Sequence, residues 1–132
     1  MTTDEIIKRA DEIIAIVNGM CCDDGGMSRR EIDLMRLYNR VLNTFGIVNQ
    51  TFMLVEECAE LLNAVAKMKR DRASKEDIIT ELADVSIMVE QLAFFYGWDE
   101  FKEERERKLK RLEDRINHHT ANENKKQKGC EK

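Results

Sequence analysis

Proline is absent from all 132 residues of this chain, and this absence constrains the fold more than any other feature of the sequence. Proline interrupts helix interiors, whereas strand-rich folds place proline and glycine in their many turns. Only six glycines are present, and 36% of the residues are charged. Hydrophobic residues make up 42%, which is enough for one core. We therefore predict an all-α protein.

Local signals predict where the helices begin and end. Capping boxes that start at Thr2 and Ser28 begin the first two helices, and Ser74 caps the fourth. Gly46 interrupts the chain after the second helix, and Gly97 follows the fourth. The five predicted helices span about 2–18, 28–45, 48–69, 74–96 and 99–117.

Short connections between long amphipathic helices predict antiparallel neighbours, and hence an antiparallel helical bundle. We expect one domain over residues 1–118, with its core at about 34–115 and an extra helix at the N-terminus. Residues 119–132 lack apolar periodicity, so we predict a disordered tail there.

Charge and hydropathy narrow the class of partner. A net charge of −4 offers no electrostatic footprint for nucleic acid, and no apolar run approaches the length of a membrane span. The N-terminus shows no signal-peptide pattern, so a cytoplasmic location is expected. The four cysteines have no Cys-x-x-Cys spacing and are interpreted as reduced thiols: Cys21, Cys22, Cys58 and Cys130.

One acidic pattern occurs twice, as Glu57-Cys-Ala-Glu60 in the third predicted helix and Glu81-Leu-Ala-Asp84 in the fourth. Residues three apart are neighbours on a helix, and each pair borders an apolar stripe. Paired helices would therefore direct four carboxylates to one edge of the core. Most acidic pairs on helices are solvated surface, so a metal site and ordinary surface charge both remain open at this point.

The kind of donor atom narrows the choice of metal. Four neighbouring carboxylates repel one another unless they are protonated or hold cations. Oxygen donors without His or Cys suit Mg²⁺, Mn²⁺ or Ca²⁺. A di-iron bundle would instead carry Glu-x-x-His, and the two histidines, His118 and His119, lie in the tail region. We expect Mg²⁺, with Mn²⁺ as a substitute.

The acidic stretches resemble the motif of the MazG-like family of all-α nucleoside triphosphate pyrophosphohydrolases. That motif is Glu-Glu-x-x-Glu, a spacer, and Glu-x-x-Asp. Here Glu56-Glu57-Cys-Ala-Glu60 is followed by twenty residues and then Glu81-Leu-Ala-Asp84. The preceding FGIVNQ is also similar to the stretch before the family motif.

The resemblance covers about residues 34–115. It implies Mg²⁺-dependent hydrolysis of a (deoxy)nucleoside triphosphate to the monophosphate and pyrophosphate, in a role such as cleansing of nucleotide pools. The cation would bind triphosphate oxygens and lower the pKa of the attacking water, with Glu56 or Glu60 as the general base. Carried over residue by residue, the Mg²⁺ ligands are Glu57, Glu60, Glu81 and Asp84.

Four further residues are candidates for substrate binding. Asn49 and Gln50 either hydrogen-bond a base or sugar or simply begin a helix. Lys108 and Arg111 stand where basic residues of family members contact phosphate. The acidic residues interspersed around them are equally typical of a solvated helix.

Two rival functions remain beside the leading one. The first is a phosphoribosyl-ATP pyrophosphohydrolase, which has a related helical fold. The second is a non-catalytic helical oligomerisation module. A homo-oligomer, dimer or tetramer, is expected because five amphipathic helices carry more apolar face than a small bundle covers, and because family members assemble in this way.

Overall fold

A computed structural model of the protein describes residues 27–129 and, before them, residues 2, 4, 5, 8 and 12; for 123–129 it describes the backbone alone. The described residues form helices and no strand, which confirms the all-α prediction. The four helices are α1 (Arg29–Phe45), α2 (Ile47–Met68), α3 (Lys75–Tyr96) and α4 (Trp98–Gly129).

Capping boxes form where the sequence predicts them. The Glu31 amide donates to Ser28 Oγ at 3.3 Å, and the Ser28 amide donates to Glu31 Oε2 at 2.8 Å. Thr2 and Glu5 make the same reciprocal pair, at 2.6 and 3.3 Å. Each box satisfies amides that a helix N-terminus leaves without intrahelical partners. Most of the predicted N-terminal helix lies outside the described residues.

Gly46 separates α1 from α2, as predicted. Its φ of 80° and ψ of 150° belong to a region that residues with a Cβ rarely adopt. Its amide donates to the Leu42 carbonyl at 2.9 Å, and its own carbonyl accepts from Gln50 at 3.1 Å. The glycine therefore donates the last backbone hydrogen bond of one helix and accepts the first of the next.

The chain forms two compact units, Met1–Tyr96 and Gly97–Lys132. In the first, a turn over 69–74 joins α2 and α3 into an antiparallel hairpin, and α1 contacts both helices. The ring centroids of Tyr38 in α1 and Phe94 in α3 lie 6.5 Å apart. The Tyr38 hydroxyl donates a hydrogen bond to the Glu90 carboxylate. The buried apolar residues are Ile32, Met35, Tyr38, Ala64, Met88, Ala93, Phe94 and Phe95.

The buried face of α3 differs from the stripe that periodicity suggests. Helical spacing predicts an apolar stripe of Ile78, Leu82, Val85, Val89, Leu92 and Tyr96. Of these, Leu82 and Tyr96 are each 51% exposed, whereas Met88 and Phe95, outside the stripe, are buried. Because α3 packs against both α1 and α2, its buried face toward the C-terminus is set by two neighbours. A single apolar stripe describes a helix with one neighbour better than a helix with two.

The second unit contains α4, which continues past its predicted end near Asn117 to Gly129. The prediction of a disordered tail is therefore corrected for residues 119–129, whose backbone is helical. This stretch contains no proline and reaches its first glycine at position 129, so nothing in it stops a helix. The absence of apolar periodicity indicates that this part of the helix does not contribute to a core. The described side chains from 102 to 122 are indeed exposed.

Two smaller predictions concern the environment of the chain. Among the described residues, no helix combines the length and apolar character needed to cross a bilayer. Cys58 is a free, half-buried thiol, as expected. The other three cysteines lie outside the described residues.

Candidate metal centre

Three of the four carboxylates predicted as ligands meet between α2 and α3. Glu57 comes from α2, while Glu81 and Asp84 come from successive turns of α3. One oxygen from each lies within 4.8 Å of the others, and all three residues are half-buried. That spacing is short enough for one cation to contact all three. The metal-binding role itself remains a prediction.

The electrostatics of Glu57 reflect this crowding. Burial raises the pKa of the Glu57 carboxyl, and the neighbouring charges of Asp84, Glu60, Glu81 and Glu56 raise it further, in that order. Like charges disfavour a further ionised carboxylate, and a divalent cation relieves the same repulsion. A bound cation would therefore reduce the repulsion between the Glu57 carboxylate and its neighbours.

Glu81 carries a second sign of an incomplete environment. Its Oε2 atom is buried and has no hydrogen-bond partner among the described residues. A buried carboxylate oxygen without a donor is costly, and such atoms usually have a partner. The atoms of the three residues that could bind a metal are all carboxylate oxygens, which suit a hard cation such as Mg²⁺ or Mn²⁺. The residues present therefore fit the metal that the motif implies.

Glu60 and Glu56 occupy different positions from the group of three. Glu60 is exposed, lies outside that group, and lines a cavity beside it. Glu56 is exposed and does not line the cavity. The structure thus places Glu60 next to the candidate ligands and Glu56 on the outer side of α2.

The cavity between the last turns of α2 and the first turns of α3 measures about 390 Å³. This volume is within the usual range of small-molecule sites. Glu81 belongs both to the cavity wall and to the group of three carboxylates. The lining residues are Glu60, Asn63, Ala64, Lys67, Arg72, Ala73, Asp77 and Glu81.

Two of the four predicted substrate-binding residues, Asn49 and Gln50, do not line this cavity. Gln50 is buried, with 7% of its surface exposed, and the Asn49 side chain donates to the Phe45 carbonyl at 2.8 Å. Lys108 and Arg111 belong to the second compact unit, where Lys108 lies 3.6 Å from Glu104. Substrate contact by these residues remains a prediction.

The basic residues of the cavity wall, Lys67 and Arg72, were missed by the sequence analysis. They flank a turn whose sequence, KMKRDRAS, contains four basic residues that look alike. The signal was the position of this basic run between the two acidic pairs, at the turn of the predicted helix pair. Only the path of the turn distinguishes the two that line the cavity.

A comparison of the chain with known families, curated proteins and solved structures found no match. The resemblance to the MazG-like family therefore depends on the acidic motif and on the stretch that precedes it. The geometry of the carboxylates and the cavity is independent of that resemblance.

Proposed function

We propose that this protein is a Mg²⁺-dependent nucleoside triphosphate pyrophosphohydrolase of the MazG-like type. The observation that carries the proposal is the approach of Glu57, Glu81 and Asp84 to within 4.8 Å beside a cavity. The two paired helices bring like charges together, and a bound cation would offset the repulsion between them. The resemblance of the motif supplies the reaction class.

Glu57, Glu81 and Asp84 would hold the cation, with Glu60 next to them. When bound, Mg²⁺ supplies positive charge to the phosphate oxygens and makes a coordinated water more acidic. Glu60 is favoured over Glu56 as the group that accepts the proton of the attacking water, because Glu60 lines the cavity. Glu60 lies outside the three carboxylates that would bind the cation, so its oxygens would be free to accept the proton of the attacking water.

The direct test measures the products formed from a panel of nucleotides. We expect pyrophosphate, and not orthophosphate, to be released from at least one common or modified (deoxy)nucleoside triphosphate when Mg²⁺ is present, and no release in EDTA. Phosphoribosyl-ATP belongs in the panel, because its preferential hydrolysis would assign the protein to histidine synthesis. Orthophosphate as the first product would contradict the proposal.

Site variants connect that activity to the carboxylates. Glu57→Gln, Glu81→Gln and Asp84→Asn keep side-chain shape and remove the charge that Mg²⁺ requires. We expect each to lower turnover by at least about a hundredfold, as is usual when a transition-state charge contact is lost. Glu76→Gln is the matched control, since Glu76 is an exposed acid of α3 that does not line the cavity. Full activity in all three variants would show that the carboxylates are surface charge.

We also propose that the protein is a homo-oligomer, either a dimer or a tetramer. Within the part of the chain that the structure describes, a row of apolar side chains along α2 is uncovered, with Val48 61%, Phe52 64%, Val55 61% and Leu62 71% exposed. Contiguous exposed apolar surface of this kind marks interaction sites. It also favours the rival reading of a helical oligomerisation module, which the metal-dependent assay separates. Light scattering that gives the 15.4 kDa monomer at micromolar concentration would refute assembly.

A further inference from the structure

The turn between α2 and α3 places two basic residues side by side. The Arg72 amide donates to the Lys67 carbonyl at 2.9 Å, and the Asp71 amide donates to the Met68 carbonyl at 3.0 Å. Asp71, with φ at 54°, adopts the left-handed conformation. This is the hydrogen-bond pattern of a Schellman turn, which reverses the chain after a helix. It brings Arg72 back beside Lys67, so both line the cavity.

Among the described residues, no acid forms an ion pair with either of these two side chains. Neither Lys67 nor Arg72 forms a salt bridge within 4.0 Å of any described residue. The nearby acid, Asp77, is already engaged in capping α3: it accepts from the Ser74 amide at 2.7 Å, and its own amide donates to Ser74 Oγ at 3.1 Å. That cap, more than Lys67, lowers the pKa of the Asp77 carboxyl. Arg72 is therefore the least compensated cation of the cavity.

The charges of the lining residues are close to balance. Glu60, Asp77 and Glu81 carry three negative charges, and Lys67 and Arg72 carry two positive charges, which leaves one negative charge. Glu57 and Asp84, which would share the divalent cation with Glu81, bring the balance to three negative charges, and the bound cation reduces it to one negative charge. The site therefore repels an anion strongly when the metal is absent and much less when it is present.

We propose that Lys67 and Arg72 form an anion subsite that binds the polyphosphate chain of a nucleotide already chelated to a divalent cation on the neighbouring carboxylates. This inference rests on the proposed function and deepens it by assigning the phosphate contacts to the α2–α3 turn. Arg72 contributes more than Lys67, because Asp77 attracts the Lys67 ammonium group. A guanidinium group also contacts phosphate oxygens through two donors at once. Asn63, on the same wall, adds an amide donor.

Calorimetry with inorganic pyrophosphate as the probe tests the subsite. We expect the parent protein to bind pyrophosphate in Mg²⁺ and to show at least about tenfold weaker binding in EDTA. Arg72→Ala should weaken binding in Mg²⁺ about tenfold and Lys67→Ala about threefold, in line with the strength of hydrogen bonds to charged groups. Arg72→Lys should recover part of the loss, since it restores charge without the two-donor geometry.

Two neighbours provide matched controls. Lys69 and Arg70 lie in the same turn, carry the same charge and do not line the cavity. Lys69→Ala and Arg70→Ala should change pyrophosphate affinity less than about twofold, whereas a general surface field would make all four alanine variants alike. A second arm replaces pyrophosphate by a triphosphate with a non-hydrolysable α,β linkage. Tighter binding of this analogue identifies the nucleotide tail, not the free product, as the preferred occupant.

The outcomes separate this inference from the proposed function. If Arg72→Ala binds pyrophosphate as Arg70→Ala does, while the parent releases pyrophosphate from nucleotides, the subsite is wrong and the function stands. If the parent binds no Mg²⁺, the function fails first. The subsite predicts that Arg72→Ala and Lys67→Ala titrate with Mg²⁺ alone as the parent does. A loss of Mg²⁺ binding in these variants would show that the two residues maintain the shape of the carboxylate site, not a separate phosphate contact, and would overturn the proposal.

Discussion

The α2–α3 hairpin has two halves that are built by opposite rules. The packed half, formed with α1, contains Tyr38, Met88, Phe94 and Phe95, all less than a tenth exposed. The charged half, next to the turn, contains the cavity and the three carboxylates of Glu57, Glu81 and Asp84. In this half, Leu82 and Ile79 are about half exposed. One half is organised to exclude water and the other to concentrate charge. The stability of the hairpin should therefore come from the packed half and its chemistry from the charged half.

The largest effect should come from the most buried side chain of the packed half. Phe95 is 2% exposed, and Phe95→Ala should lower the free energy of unfolding by roughly 3–5 kcal/mol through lost apolar burial and the cavity left behind. Ile79→Ala, on the charged half, removes a side chain that is 52% exposed and should cost less than about 1 kcal/mol. Urea titrations of both variants measure the contrast. Equal losses would show that the two halves share stability evenly.

An intermediate effect is expected at the contact between α1 and α3. Burial, followed by the Glu90 hydrogen bond and charge, raises the pKa of Tyr38 beyond its usual range, so its hydroxyl remains a donor at ordinary pH. Tyr38→Phe removes that donor from the half-buried Glu90 carboxylate and should cost about 1–2 kcal/mol. A double-mutant cycle with Glu90→Gln isolates the pair. A coupling energy of zero would mean that the hydrogen bond adds nothing to the packed half.

The smallest effect concerns the charged half and has the opposite sign. The pKa of Glu57 is raised above its ordinary value of 4.5, so its protonated form is favoured in the folded state. The contribution of the protonated Glu57 carboxyl to stability is complete below the pKa that this carboxyl has in the unfolded chain. It is lost as the pH rises through the pKa of the same carboxyl in the folded protein. In EDTA, Glu57→Gln should therefore match the parent at about pH 3. Above about pH 6 it should be more stable by less than about 1 kcal/mol.

Thermal melts across this pH range measure the difference. Glu113→Gln, an exposed acid in α4, should show no such divergence from the parent. A parent that is more stable than Glu57→Gln at neutral pH without metal would contradict the repulsion between the carboxylates.

Local rules predicted much of the fold and part of the site. The capping box at Ser28, the cap at Ser74 and the break at Gly46 depend on hydrogen bonds within a few residues, so the sequence contains all the information they need. The convergence of Glu57 with Asp84 followed from two equal periods on paired helices. These features are local, or repeat a local pattern.

Features that depend on the third helix or on the turn escaped prediction. Gln50 is buried although it is polar, which a helical period does not predict. Arg72 lines the cavity because Asp71 adopts a left-handed conformation, and aspartate adopts it less readily than glycine does. The helix continues over 119–129 without an apolar pattern, so the absence of that pattern gave the wrong expectation.

The uncovered apolar row on α2 has a consequence for how this molecule should respond to dilution. Val48, Phe52, Val55 and Leu62 belong to the helix that also carries Glu57 and Glu60, so whatever covers the row supports the candidate site from behind. If a second copy covers it, folding and assembly are one linked equilibrium, and the midpoint of unfolding rises with protein concentration. Occupancy of the metal site would then respond to how much protein is present as well as to how much metal is supplied.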